Sequence, residues 1–220
     1  MFKKIKGFFI NIFGSKIDEI YWNFRHIFNS SWAKKYISEE SISHPHRKFL
    51  IEKIAAHFPF QSCLEIGCAS GPNLFLLAQK FPGVSFYGID ISNNAIKEGK
   101  RFLEDRKIKN VTLINSRADN LKFLKDKSID IVFSDAILIY IDKNKIKYIL
   151  KEMTRIAKKL IIILELCADR VSYYDGHWIH NYKSLFRKLI SNKKIKISRI
   201  PKEIWDGSWK KQGCIIEVVL

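Results

Sequence analysis

The sequence predicts an α/β protein, a doubly wound sheet with helices on both faces, and three observations predict it. Short apolar segments typical of strands alternate with segments of helical periodicity from Ser62 onward. A turn with glycines at Gly67 and Gly71 follows the first strand. An acidic residue, Asp90, ends the second strand, 19 residues after Gly71. This order of strand, glycine turn, helix, strand and acid is the one that binds a nucleoside-containing ligand.

The first half of the core begins with a helix and then alternates strictly. Pro72 suits the first turn of the helix after the glycine turn, and Ser92 is a good N-cap for the next helix. Predicted helices cover about 45–58, the segment opened by Pro72, and 93–105, and predicted strands cover 62–66, 85–89, 111–115 and 129–134.

The second half continues the pattern and ends in two strands. The segment 160–166 is continuously apolar, which is typical of a strand buried on both faces. Predicted helices cover 143–157 and 182–190, and predicted strands cover 160–166, 194–200 and 214–220. The sheet therefore has seven strands, and no internal repeat interrupts it.

The glycine spacing indicates which nucleoside ligand fits. A dinucleotide site has Gly-x-Gly-x-x-Gly, whereas here Ala69 stands between Gly67 and Gly71, and Glu65 precedes the first glycine by two residues. A carboxylate at Glu65 is unfavourable beside a pyrophosphate and favourable beside a cation. S-adenosylmethionine is cationic and has no phosphate, so it is favoured over a nicotinamide dinucleotide.

The chain resembles the class I S-adenosylmethionine-dependent methyltransferases at four landmarks in the family order. Glu65 to Gly71 resembles the first motif, Asp90 the ribose-binding acid, Ser116 to Leu121 the adenine segment, and Ile129 to Asp135 the fourth strand entering the active site. It departs from the pattern at two positions. Ala69 occupies the position of the central glycine of the motif, and Tyr140 stands where many relatives carry histidine.

The resemblance implies a Rossmann-like sheet, mostly parallel with an antiparallel C-terminal strand, and S-adenosyl-L-methionine as cofactor. It assigns cofactor contacts to residues at the carboxyl ends of the strands. These residues are Glu65, Gly67, Cys68, Ala69, Gly71, Asn73, Asp90, Ile91, Ala118, Asp119 and Ser134.

A base for proton removal is expected near the same cleft. His177 and His180 follow the fifth strand, and Asp135 follows the fourth; we predict these as the catalytic residues. His44, His46 and Asp175 are further candidates.

Two motifs that the sequence lacks narrow the type of molecule that accepts the methyl group. The Asn-Pro-Pro-Tyr type of motif, which resembles amino-group methylation of bases, is replaced after the fourth strand by Ser134-Asp135-Ala136-Ile137. No acidic pair suggests a catalytic metal. We therefore expect metal-independent O-methylation of a small or lipid-linked molecule, such as a saccharide. The alternatives are an RNA methyltransferase, a nicotinamide-dependent oxidoreductase, and a non-catalytic scaffold, the last because of Ala69.

Length and charge fit one enzyme domain. The 220 residues divide into an N-terminal helical extension, 1–44, and a cofactor-binding domain, 45–220. The formal net charge of +17 comes mostly from dispersed lysine, which is typical of a solvated surface, although a basic domain also suits nucleic acid. The oligomeric state is not indicated.

The location is expected to be cytoplasmic. No apolar run approaches the roughly 20 residues of a spanning helix, and the four cysteines show no Cys-x-x-Cys pairing and are expected to be free thiols. Residues 1–17 place Phe2, Phe9 and Phe13 at helical spacing beside lysines. Such a helix contacts a membrane surface peripherally, covers the domain or pairs with another subunit. The aromatic segment 21–36, with Trp22 and Trp32, is expected to cover the cofactor or line the substrate pocket.

Overall fold

The computed structural model describes residues 31–174, 176–190 and 194–220. The predicted amphipathic helix in 1–17, Trp22 and Asp175 lie outside these residues. Among the helices of the described part, none is both long and apolar enough to cross a membrane.

The main sheet contains the seven predicted strands, which are β1 (Ser62–Ile66), β2 (Ser85–Asp90), β3 (Val111–Asn115), β4 (Ile129–Asp135), β5 (Ala157–Leu166), β8 (Lys194–Arg199) and β9 (Gly213–Val219). Their order across the sheet is β3-β2-β1-β4-β5-β9-β8. Its first five strands in chain order are parallel to one another, and β9 runs antiparallel to both β5 and β8. This confirms a mostly parallel sheet with an antiparallel C-terminal strand. A separate hairpin comprises β6 (Ser172–Tyr174) and β7 (His177–Ile179).

Helices cover both faces of this sheet. They are α1 (Ser31–Tyr36), α2 (Glu39–Ile42), α3 (Pro45–Ala55), α4 (Pro72–Lys80), α5 (Asn93–Asp105), α6 (Ile146–Ile156), α7 (Tyr182–Leu189) and α8 (Ser208–Gln212), with a 3-10 turn at Leu138–Tyr140. Ser92 caps α5 as expected, its side chain accepting from the Ala95 N–H at 3.2 Å. Helix α6 begins three residues later than predicted, because the Asp142 side chain accepts from the Asn144 N–H and holds a turn there.

The core lies on the two faces of the sheet and follows the alternation of the strands. Phe133 belongs to the apolar cluster beneath α3, α4 and α5, whereas the adjacent Val132 belongs to the cluster beneath α6 and α7. Both side chains are fully buried. Because the central strands are covered on both sides, their carboxyl ends provide the edge where a ligand can enter.

The expectation that all four cysteines are free is wrong for two of them. Cys167 and Cys214 form a disulfide across a sequence separation of 47, while Cys63 and Cys68 are free and buried. Cys167 follows the end of β5, and Cys214 lies in its antiparallel neighbour β9, opposite Glu165. The pair is formed by strand register, and sequence spacing does not reveal such a pair.

Candidate functional site

The glycine turn after β1 is built from three residues with left-handed backbone. Gly67 has φ 77°, Ala69 φ 48° and Gly71 φ 78°. A Cβ at Gly67 would overlap the side chain of Ile137, so glycine is required there by space as well as by conformation. Ala69 adopts the same region at a cost of about 1–2 kcal/mol, since its Cβ approaches the following carbonyl.

Asp90 ties this turn to the end of β2. Its Oδ2 accepts from the Ala69 N–H at 2.8 Å, and its Oδ1 accepts from the Ser92 N–H at 2.8 Å. Burial raises the pKa of Asp90, and the two backbone hydrogen bonds oppose that rise. Each carboxylate oxygen keeps a second lone pair, so ribose hydroxyls can still be accepted.

A cavity of about 440 Å³ opens at the carboxyl ends of the central strands. Trp32 and Tyr36 of α1 line it, as expected for the aromatic segment. The predicted site residues that line it are Glu65, Gly67, Cys68, Ala69, Asn73, Asp90, Ile91, Ala118, Asp119, Asp135 and His177. Gly71, Ser134 and His180 do not line it: Gly71 ends the turn, and Ser134 and His180 are fully buried.

A buried hydrogen-bond network connects the first and fourth strands beneath this cavity. Asn73 Nδ2, in the first turn of α4, donates to Glu65 Oε1 at 2.7 Å and to Asp135 Oδ2 at 2.9 Å. Burial raises the pKa of Glu65 to about 8, against the Asn73 hydrogen bond. Glu65 Oε2 and Asp135 Oδ1 have no hydrogen-bond partner among the described residues.

Two side chains of α3, a histidine and an arginine, stabilise the negative charge of Asp135. His46 Nε2 lies 3.2 Å from Asp135 Oδ2, and Arg47 Nη1 lies 3.5 Å from it while donating to Asn73 Oδ1 at 2.9 Å. Burial alone would raise the pKa of Asp135, but His46, then Arg47 and Asn73, outweigh burial and lower it. Arg47 was not predicted, because the same helix also carries Lys48 and Lys53 and the sequence does not show which of these cations is buried.

His46 also connects Asp135 to the protein surface and to two tryptophans. Its Nδ1 lies 2.5 Å from Nδ1 of half-buried His44. Its ring stacks on Trp205 at a centroid distance of 4.1 Å, and Trp205 stacks on Trp209 at 4.1 Å. Both tryptophans come from the connection between β8 and β9 and line the cavity. Their contact with His46 was not predicted, because they lie about 160 residues from it in sequence.

The two histidines that follow β5 have different environments. His177, in β7, lines the cavity and contacts the Tyr140 ring at 5.3 Å between centroids. His180 donates from Nε2 to the Ile141 carbonyl oxygen at 3.0 Å, and burial lowers its pKa. Its Nδ1 has no partner among the described residues. His180 therefore stabilises the 3-10 turn region, and the structure does not bring it together with Asp135.

Glu165, on β5, fixes the loop that follows β4. Its carboxyl oxygens accept from the backbone N–H groups of Ile137, Leu138 and Ile139 at 2.8, 2.7 and 3.3 Å. Burial raises the pKa of Glu165 to about 8, although these hydrogen bonds oppose it. The side chains of Ile137 and Ile139 line the cavity. Glu165 was also missed, since an acid within an apolar strand gives no local indication of what it binds.

The lining divides into two ends. At one end lie the glycine turn, Asp90, and Asp119 in the loop after β3, where the Asp119 carboxylate takes two hydrogen bonds from Arg117 at 2.7 and 2.6 Å. At the other end lie Asp135, the 3-10 turn and the tryptophans. The first end has the groups that hold a nucleoside, and the second has a carboxylate that can accept a proton.

Comparisons with known proteins agree with this arrangement. Residues 63–159 match the family model described as "Methyltransferase domain". The tRNA (guanine-N(7)-)-methyltransferase of Lactobacillus gasseri is 30% identical over 111 residues, covering 48% of this chain and 51% of that protein. The chain spans between 20% and 51% of the length of the curated relatives that it matches.

Solved structures share the fold over most of the chain. A SAM-dependent methyltransferase from Aquifex aeolicus has a TM-score of 0.62 and 16% identity, covering 87% of this chain and 98% of that one. The magnesium protoporphyrin IX methyltransferase from Synechocystis, with bound SAM, has a TM-score of 0.56 and 19% identity, covering 80% and 79%. Fold, motif order and the family-model match over residues 63–159 agree, and the chain is similar to the class I S-adenosylmethionine-dependent methyltransferases.

Proposed function

We propose that this chain transfers the methyl group of S-adenosylmethionine to a hydroxyl oxygen of a small or lipid-linked acceptor, with Asp135 receiving the hydroxyl proton. The observation that carries the proposal is the position of Asp135 at the end of β4. It lines the cavity, its Oδ2 is held by Asn73 and His46, and its Oδ1 is buried without a partner among the described residues. An acceptor hydroxyl hydrogen-bonded to Oδ1 would satisfy that atom.

The residues present fit the cofactor. The Oε2 atom of Glu65, which has no partner among the described residues, suits an ammonium group. Each carboxylate oxygen of Asp90 accepts one backbone hydrogen bond and can accept another from a ribose hydroxyl. When bound, S-adenosylmethionine supplies a methyl group already activated by its sulfonium.

The protein's own contribution is alignment and proton removal. The C–S bond to the methyl group breaks as a C–O bond forms, and the hydroxyl proton moves to Asp135. The products are the methyl ether and S-adenosylhomocysteine.

The proposal is tested with methyl-tritiated S-adenosylmethionine. The protein is incubated separately with a small-molecule extract, a lipid extract and total RNA from cells that encode the chain. Label is expected in the small-molecule or lipid fraction. Asp135→Asn should lower the rate by about 10²–10⁴-fold, the usual contribution of a positioned base. Label that enters only RNA, or a rate that Asp135→Asn does not change, would contradict the proposal.

RNA is the second candidate acceptor, for two specific reasons. The chain carries a formal net charge of +17, and a curated relative that matches 48% of it is named a tRNA (guanine-N(7)-)-methyltransferase. An RNA acceptor requires tight binding to tRNA at low salt that weakens steeply as salt rises, because phosphate contacts release counterions. Filter binding between 50 and 200 mM salt, roughly the range over which such contacts are lost, decides between the candidates.

A further inference from the structure

We call the end of the cavity that contains Asp135, the 3-10 turn and the two tryptophans the acceptor end. It is lined largely by aromatic rings. His46, Trp205 and Trp209 form a continuous stack on one part of the lining, with centroid distances of 4.1 Å between neighbours. Tyr140 and His177 line the same cavity with their rings 5.3 Å apart. Such side chains bury a flat ring well, through offset or edge-to-face contacts.

The polar groups at this end are already engaged by the protein. The Asn73 amide contacts Glu65, Asp135 and Arg47, and the Arg47 guanidinium also donates to Ser41. Asp135 Oδ1 has no hydrogen-bond partner among the described residues. The neighbouring lining includes the aliphatic side chains of Ile137 and Ile139. The polar residues Tyr140, Asp142, Lys145 and His177 also line the cavity, and each of them already has an interaction within the protein. The site is therefore suited to an acceptor that presents one hydroxyl group on an apolar body.

We propose that the acceptor is a hydroxylated aromatic ring, a phenol, which binds against the His46–Trp205–Trp209 stack with its hydroxyl on Asp135 Oδ1. The inference rests on the proposed O-methylation and names its substrate class. A saccharide also stacks on tryptophan, but it brings several hydroxyl groups. Each hydroxyl that is buried without a partner weakens binding.

The charge state of Asp135 agrees with a phenol. His46 and Arg47 lower the pKa of this carboxyl in spite of its burial, which makes it a weak base. A weak base is better matched to a phenolic hydroxyl, with a pKa of about 10 as in tyrosine, than to a much less acidic aliphatic alcohol. The ring contacts and the proton acceptor thus favour the same class of molecule.

The test is calorimetric titration of the full chain, saturated with S-adenosylhomocysteine, with two alcohols on one carbon skeleton. 2-Naphthol has flat rings and a phenolic hydroxyl; decahydro-2-naphthol has neither. We expect 2-naphthol to bind at least about tenfold more tightly, and Trp209→Leu to weaken it by about tenfold or more, in keeping with the loss of an aromatic contact and its buried area.

Three variants distinguish an effect on the phenol subsite from an effect on folding or on the cofactor site. Trp209→Phe keeps an aromatic ring and should retain most of the preference, whereas Phe123→Leu, at an aromatic residue that is 52% exposed, should change nothing. Trp209→Leu should bind S-adenosylhomocysteine as the unmodified chain does. Equal binding of the two alcohols, or no binding of 2-naphthol to the loaded protein, would overturn the phenol subsite. If the unmodified chain does not bind S-adenosylhomocysteine at all, that result would instead contradict the proposed function.

Discussion

Asn73 Nδ2 lies 2.7 Å from Glu65 Oε1, and the same amide nitrogen also donates to Asp135, so one side chain joins two buried carboxyl groups. The pKa of Glu65 is raised to about 8, while that of Asp135 is lowered. The difference arises because His46 and Arg47 approach Asp135 from α3. One carboxyl is therefore protonated near neutral pH while its neighbour is ionised, and only the ionised one can accept a proton.

The first prediction concerns the pH dependence of cofactor binding. In the free protein Glu65 holds a proton below about pH 8. An ammonium group of the ligand favours the ionised form, so binding must release that proton. The affinity for S-adenosylhomocysteine should therefore rise by up to about tenfold per pH unit between roughly pH 6 and 7.5, below the pKa of a ligand α-amino group.

Titration calorimetry in buffers of different ionisation enthalpy measures this proton release directly. Glu65→Gln is nearly isosteric with the protonated acid and can still accept from Asn73. It should bind the ligand without proton release and with little dependence on pH. Equal proton release by the variant and by the unmodified chain would assign the linkage to another group.

The second prediction concerns Ala69. Glycine at this position removes the penalty of about 1–2 kcal/mol for a left-handed backbone. It also gives the unfolded chain more conformational entropy, which lowers the free energy of unfolding by about 0.4–1 kcal/mol. Ala69→Gly should thus raise the free energy of unfolding slightly and leave S-adenosylhomocysteine binding at least as tight. Ala78→Gly, inside α4, should lower the free energy of unfolding by about 1 kcal/mol or more. Urea denaturation of both variants checks the sign at each position, and a clear loss of stability in Ala69→Gly contradicts the strain.

The third prediction concerns the disulfide between Cys167 and Cys214. Closing a chain segment with a sequence separation of 47 restricts the unfolded state and should contribute about 2–4 kcal/mol. Reducing agent should lower the free energy of unfolding by this amount. The double variant Cys167→Ala/Cys214→Ala should be less stable by a similar amount and should not respond to reducing agent. Unchanged stability of the unmodified chain on reduction would mean that the bridge does not constrain it.

Strand and turn chemistry allowed most of the fold to be predicted. The apolar run in β5, Pro72 in the first turn of α4 and Ser92 as the cap of α5 each act through near neighbours in sequence. The hairpin β6–β7 was not predicted. Its strands have three residues each, too few for alternation to be recognised.

The candidate site was partly predictable for a related reason. The turn and Asp90 belong to one βαβ unit, so their spacing in sequence carries the information. Arg47, Trp205 and Glu165 act through contacts between distant segments, and no local pattern distinguishes them from surface or core residues. The same holds for the pairing of Cys167 with Cys214.

The cofactor site is the central claim, and calorimetric titration with S-adenosylhomocysteine tests it most directly. Asp90→Asn is the matched variant, because it keeps one oxygen acceptor for the turn, which Asp90→Ala would leave unpaired at the Ala69 N–H. We predict binding in the micromolar range, a loss of at least about tenfold in Asp90→Asn, and no binding of NAD. No binding of S-adenosylhomocysteine by the folded chain, or equal binding of NAD, would contradict the account.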